Sequence, residues 1–213
     1  MRISFPKVYP ILDASAIPTF GRTQFLRNLG AALTEAGVTL LEYRNKTGKD
    51  AELLDDAGIL RAVMPSSKVK LILDDRVDLV EQLSFDGVHV DSGDAEPSAA
   101  RGYLGEDRII GTFGGNEALL PGILLSRADY FSIGPVFPTR TKQTSMPSIG
   151  VEGVRRLRAE AGPGPVLVAV GGVTLDNAAE ILAAGASVLA VAGAIFRQPD
   201  PAAEYSRWVA KLG

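Results

Sequence analysis

The residues able to do chemistry stand in short polar clusters, each following an apolar run. The segment Gly134-Pro135-Val136-Phe137-Pro138-Thr139-Arg140-Thr141-Lys142 comes directly after Tyr130-Phe131-Ser132-Ile133. Hydroxyls and cations on one loop, here led by Thr139, Thr141 and Lys142, suit an anion, above all a phosphate or diphosphate. Glu42, Arg44 and Lys46 follow another apolar run, with 42 and 44 on one side of an extended segment. Asp74-Asp75-Arg76 and Asp91-Ser92-Gly93-Asp94 close two more. Asp75 and Asp94 make a carboxylate pair suited to Mg²⁺, which prefers carboxylate, water and phosphate oxygens. Arg44, Lys46 and Lys142 then grip the diphosphate that the ion bridges. Gly171-Gly172 and Ala192-Gly193-Ala194 are small enough to offer phosphate a backbone N–H.

Each cluster also has a structural reading. Asp75 could start a helix, Asp94 could cap the segment before Pro97, and Gly171-Gly172 could be a tight turn. Arg44 and Lys46 could be solvated loop charges. Glu42 and Asp13 could pair with cations as electrostatic supports. His89 lies inside an apolar strand and reads as a structural histidine.

The clusters need elements to hold them. Apolar strand-like runs recur at Val8 to Leu12, Val38 to Tyr43, Val69 to Leu73, Gly87 to Val90, Arg108 to Thr112, Tyr130 to Ile133, Val166 to Val170 and Val188 to Val191. They are short and mostly non-alternating, as in strands buried on both faces. Helices are expected between and after them, over Thr23 to Glu35, Ala51 to Val63, Val77 to Leu83, Pro97 to Leu104, Asn116 to Leu125, Val151 to Ala161, Leu175 to Ala184 and Ala202 to Lys211. Pro97 suits a first turn and Thr174 an N-cap. Eight strand–helix units predict an α/β fold, a parallel eight-stranded (β/α)8 TIM barrel forming a single domain over residues 1–213. A doubly wound open sheet would be expected to carry a glycine-rich turn after its first strand, but Asp13-Ala14-Ser15-Ala16 stands there.

Composition narrows the function. With 213 residues, 46% hydrophobic content and 23 dispersed glycines, the chain reads as one globular domain with many turns. A formal charge of -3 without a basic tail argues against a nucleic-acid partner. No apolar stretch of about 18 residues and no leader-like N-terminus are apparent, so a cytoplasmic protein without membrane partners is expected. Zero cysteines exclude disulfides and thiolate chemistry, and a single histidine excludes His-cluster metal sites. Oligomeric state stays open, a homodimer included.

Tyr43-Arg44-Asn45-Lys46, Leu73-Asp74-Asp75-Arg76, Asp86-Gly87-Val88-His89-Val90, the Gly134–Lys142 segment and Val170-Gly171-Gly172-Val173 together resemble the thiamine-phosphate synthase family, from about Tyr9 to Phe196. The resemblance implies a barrel that joins a pyrimidine-methyl diphosphate to a thiazole phosphate, giving thiamine phosphate and diphosphate. It implies Mg²⁺ on Asp75 and Asp94, and the diphosphate on Arg44, Lys46 and Lys142. It also implies the thiazole phosphate on Thr139, Thr141 and the backbone of Gly172, with Ala192 and Gly193 beside it. The chain departs from the pattern at several positions. Family members usually have glutamine, contacting the pyrimidine, where Glu42 stands, and asparagine where Asp74 stands. They usually have serine near Phe113 and where Gly193 stands, and Gly-Gln where Asp91-Ser92 stands. Alternatives are a thiazole tautomerase-like isomerase or a non-catalytic phosphate-binding barrel. The tautomerase branch commonly uses a histidine after its fifth strand, and Gly111 to Asn116 has none.

Overall fold

The computed structural model describes residues 4–46, 50–91, 95–115, 120–139, 141 and 146–213. Eight strands form in chain order: β1 (Val8–Asp13), β2 (Leu40–Arg44), β3 (Lys70–Asp74), β4 (Gly87–Val90), β5 (Ile109–Gly115), β6 (Tyr130–Ile133), β7 (Leu167–Ala169) and β8 (Val188–Val191). Each pairs in parallel with the next. β8 returns to β1, with Val8 opposite Leu189 and Pro10 opposite Val191, so the sheet closes. Around it lie α1 (Arg22–Glu35), α2 (Asp50–Val63), α3 (Pro97–Leu104), α4 (Leu120–Ile123), α5 (Gly150–Ala161), α6 (Ala178–Ala183), α7 (Gly193–Phe196) and α8 (Pro201–Leu212). The expected (β/α)8 barrel is the observed fold.

The non-alternating strands have a simple cause. Tyr9, Leu40, Ile72, Ile109, Tyr130, Val168 and Val188 fill the barrel interior. Their neighbours Val8, Leu41, Leu71, Val88, Ile110, Phe131, Leu167 and Leu189 face outward into the layer shared with the helices. Each large buried side chain contributes about 1.5–3 kcal/mol, so both layers favour apolar residues. Gly111 is a packing requirement, because a Cβ there would lie 2.0 Å from Cζ of Tyr130.

Three arginines close the end of the barrel where strands begin, all in one manner. Arg61 of α2 binds Asp86, which also accepts from the Leu71 N–H. Arg101 of α3 binds Asp129, which accepts from Ile110, and reaches the carbonyls of Gly105, Arg108 and Arg127. Arg158 of α5 binds Ser187, which accepts from Leu167, and the carbonyls of Gly162, Pro165 and Gly185. The residue just before β4, β6 and β8 thereby joins the preceding strand to a helix, satisfying backbone groups that would otherwise be buried unpaired.

The structure shifts some expected elements. Val77 to Leu83 forms a single 3-10 turn over Val77–Leu79 rather than a helix. Leu79, Val80, Leu83 and Phe85 are all pulled into the core, and Ser84 turns with φ +54°, so no helical stripe can continue. α6 starts three residues later than expected. Thr174 and Asn177 exchange side-chain hydrogen bonds with each other's backbone N–H, which uses the first turn as a cap. The expected helix over Asn116 to Leu125 is seen as Leu120–Ile123; its first residues lie outside those described.

Candidate active site

Moving along the strands toward their C-terminal ends, the inward positions turn polar on one side of the barrel. Leu40 gives way to Glu42 and Arg44, Ile72 to Asp74, Gly87 to His89 and then Asp91, and Tyr130 to Ser132. On β7 and β8 the same climb stays small or apolar, through Val168 and Val170 and through Val188, Ala190 and Ala192. Between the two sides opens a cavity of about 460 Å³, a size ordinary for a small-molecule site.

Charges on the polar side neutralise one another. Asp13 accepts from the Ser15 N–H at 3.0 Å, from the Ser15 hydroxyl at 2.5 Å and from Arg44. Burial works to raise its pKa, but the Ser15 bonds and Arg44 outweigh that and hold it below the usual range. Arg44 Nε also stands 3.6 Å from Asp74, and Lys46 Nζ stands 3.3 Å from Asp74 while contacting Asp75. Burial pushes the Asp74 pKa up, and Lys46, His89 and Arg44 offset this only in part.

Asp74, Asp75 and Asp91 each bring a carboxylate oxygen within 4.8 Å of the others. Asp74 Oδ2 and Asp75 Oδ1 are buried without a hydrogen-bond partner among the described residues. Asp75 sits in the left-handed region with φ +65°, its N–H donating to the His89 carbonyl at 2.8 Å. That conformation costs about 1 kcal/mol for a residue with a Cβ. It turns the chain at the end of β3, where the three carboxylates gather.

Below them runs a chain of hydroxyls and rings. Tyr9 Oη donates to Glu42 Oε2 at 2.8 Å and meets Tyr130 Oη at 3.0 Å, which meets His89 Nδ1 at 3.1 Å. His89 stacks on Tyr130, with Nε2 3.4 Å from Ser132 Oγ and 3.8 Å from Asp91. Burial works to lower the His89 pKa, but Asp91, Glu42 and Asp74 outweigh it and the net shift is upward. His89 is a satisfied histidine, as its strand position implied, and it also forms part of the cavity wall.

The opposite side is built from close backbone approaches. Val136 and Phe137 N–H groups donate to Val170 and Gly171 carbonyls, laying the loop after β6 on the loop after β7. Gly172, at φ +64°, permits this, since a Cβ would come within 2.6 Å of Phe137 Cβ. Thr139 Oγ1 accepts from the Thr141 N–H. A Cβ on Gly193 would lie 3.3 Å from Thr141 Oγ1 and 3.4 Å from Arg197 Nε, so a hydroxyl, a backbone turn and a guanidinium converge there.

Of the residues singled out from sequence, Glu42, Arg44, Asp74, Phe113, Thr139, Thr141, Gly172, Ala192 and Gly193 line the cavity. Lys46 and Asp75 meet at its charged rim. Lys142 and Asp94 lie outside the described residues. Sequence reasoning left Tyr9, Tyr130, Ser132 and Arg197 without a site role and gave Asp91 no metal role. Strand parity, carried inward from Glu42 and Asp74, points to the first three. Arg197 follows α7, a single turn that no periodicity announces.

The chain is similar to known proteins over most of its length. A family profile described as Thiamine monophosphate synthase matches residues 8–195. The thiamine-phosphate synthase of Koribacter versatilis is 34% identical over 197 residues, covering 92% of each chain. That of Agrobacterium fabrum is 38% identical over 181 residues, covering 84% of this chain and 81% of the relative. Among solved structures, a thiamine phosphate pyrophosphorylase from Pyrococcus furiosus superposes with a TM-score of 0.79 at 27% identity, covering 97% of both chains. A 3-hexulose-6-phosphate synthase, at 17% identity and a TM-score of 0.70, shares the fold alone. With its matched profile running from β1 into α7, this chain belongs to the thiamine monophosphate synthase family.

Proposed function

We propose that this chain, a transferase of thiamine biosynthesis by its family, couples a pyrimidine-methyl diphosphate with a thiazole phosphate to give thiamine phosphate and diphosphate. The observation that carries the reading is the two-sided mouth. Carboxylates and cations gather on β2–β4, hydroxyls and small residues gather after β6–β8, and the cavity lies between them.

In this reading the bond from the methylene carbon to the diphosphate oxygen breaks, and its electron pair leaves with diphosphate. The thiazole nitrogen then donates its lone pair to form the C–N bond, and no proton need move. Arg44 and Lys46 turn from Asp13, Asp74 and Asp75 toward the departing diphosphate, joined by Lys142. Stabilising charge as it develops on a leaving group often accelerates a reaction more than any other effect. Thr139, Thr141, the backbone of Gly172, Ala192 and Gly193, and Arg197 hold the thiazole phosphate. The cavity walls keep both rings in reacting order and exclude water, which would capture the cationic centre.

Mg²⁺ fits the donor set. Asp74, Asp75 and Asp91 are carboxylates with two buried oxygens that lack hydrogen bonds among the described residues, and Asp94 is assigned with them by motif. When bound, the ion neutralises charge on the diphosphate oxygens. An isomerase of a monophosphate would leave this cluster without a task.

Small phosphorylated molecules are thus the proposed partners, and with a net charge of -3 no nucleic acid is expected. Among the described residues no helix is long and apolar enough to cross a membrane. Purified protein supplied with both substrates and Mg²⁺ should release thiamine phosphate and diphosphate in equal amounts. No product at saturating substrate would overturn the assignment.

A further inference from the structure

Behind the cations of the mouth, outside the cavity, lies a buried carboxylate that the coupling chemistry leaves without a task. Asp56 of α2 is 1% exposed. Its Oδ1 accepts from Arg22 Nε at 2.8 Å, and its Oδ2 accepts from Arg22 Nη2 and from the Tyr43 hydroxyl, each at 2.5 Å. Tyr43 Oη accepts in turn from Asn45 Nδ2 at 3.2 Å. Asn45 Nδ2 also reaches Glu52 Oε1 of α2 at 3.4 Å, and Arg22 Nη2 meets the same oxygen at 3.2 Å. Burial and the Asp56 contact hold the Tyr43 pKa far above its ordinary value, so the phenol keeps its proton and stays a donor.

Stability is a weak reason for this arrangement. Replacing a buried ion pair with apolar side chains of similar volume is often neutral or stabilising. Arg22 is also the first residue of α1, whose first turn holds no acidic residue, so its charge opposes the helix dipole. What the network does fix is the end of β2. Tyr43 lies in the outer layer and Asn45 follows it on that side, while Arg44 and Lys46 alternate with them toward the mouth. Arg44 is the last residue of the strand and stands opposite Asp13 in the ladder to β1. Lys46 lies beyond the ladder. Asn45, next to it in the chain, is where the buried network reaches the charged rim.

We propose that the Tyr43 hydroxyl, anchored by Asp56 and Arg22, is a positioning group that holds Asn45 and thereby aims Lys46 at the departing diphosphate. Tyr43 touches no substrate and acts through Lys46. The inference rests on the coupling reaction proposed above. Lys46 serves two sets of partners, Asp74 and Asp75 in the free protein and the diphosphate during the reaction. A long side chain does this reproducibly only from a fixed backbone, because ordering it already costs rotamer entropy. A displacement of about 1 Å at a reacting group can cost about 10²-fold in rate.

Two variants test this by calorimetry with inorganic diphosphate and Mg²⁺, a probe that needs no turnover. Tyr43→Phe keeps the ring and removes one oxygen. Asn45→Ala leaves the bonds among Asp56, Arg22 and Tyr43 in place, so it reads positioning even where Tyr43→Phe folds poorly. Each should weaken diphosphate binding about tenfold and lower kcat about tenfold, with KM for the thiazole phosphate within about twofold of the parent. The sharpest readout is a cycle with Lys46→Ala. In that background Tyr43→Phe should change the diphosphate Kd by less than about twofold, while its shift in urea midpoint stays the same in both backgrounds. An equal loss of affinity with and without Lys46 makes the network structural only and overturns the proposal, as does parent-like diphosphate binding in both variants. Product formation that neither variant slows overturns it while leaving the synthase reading intact. A parent that makes no product, with the cycle as expected, removes the synthase reading and leaves the positioning of Lys46 standing. No diphosphate binding by the parent removes both.

Discussion

The two ends of the barrel handle charge in opposite ways. Where the strands begin, Arg61, Arg101 and Arg158 spend their N–H groups on carbonyls and on Asp86, Asp129 and Ser187. Arg101 is 4% exposed and its side chain makes hydrogen bonds to five residues. Where the strands end, Asp74 and Asp75 keep buried oxygens without hydrogen bonds among the described residues, and Asp75 holds a strained backbone. One end ties most of its polar groups into the fold, with Arg61 Nε and Arg108 Nε buried exceptions among the described residues. The other leaves them poised for a ligand, at a cost in stability that the first end offsets.

Variants should separate the two ends. Asp75→Asn keeps a side chain tolerant of the left-handed region but loses the charge. Turnover should fall by about 10²-fold or more, with an unfolding free energy equal to or above that of the parent. Arg101→Ala should do the reverse: urea unfolding should show a loss of roughly 2–3 kcal/mol, with turnover of the folded fraction within about twofold. A stability loss in Asp75→Asn matching that of Arg101→Ala would erase the contrast.

Within the mouth, Arg197→Ala should raise KM for the thiazole phosphate about tenfold and leave KM for the pyrimidine diphosphate unchanged. Equal effects on both would take Arg197 away from the hydroxyl side. The last effect concerns Glu42. Its folded pKa of about 7 lies above the ordinary 4.5, so its contribution to stability is complete below about pH 4.5 and is lost as pH rises through about 7. Glu42→Gln should therefore match the parent near pH 4.5 and exceed it by up to about 3 kcal/mol at pH 8. Urea midpoints at both pH values check the sign.

Much of this was legible in the sequence because strands buried on both faces are written as apolar runs. Tyr130–Ile133 and Val188–Val191 appear with the bounds expected of them. The polar clusters after those runs fall at one end for the same reason: parallel strands all point one way. What the runs hide is which face is inward. Tyr9 and Tyr130 look like core aromatics, and only closure of the barrel brings their hydroxyls to Glu42 and His89. Arg61, Arg101 and Arg158 look like helix-surface bases until the preceding strand is placed beside them. Val77 to Leu83 has helical composition, but tertiary burial of Leu79, Val80 and Leu83 overrides it.

The most direct test of the contrast between the two ends is to measure product formation and unfolding on the same preparation of Asp75→Asn. Thiamine phosphate formation with both substrates and Mg²⁺ should drop at least about a hundredfold while the urea midpoint holds or rises. Undiminished product formation would contradict this, since the strained carboxylate beside Lys46 would then have no part in the chemistry.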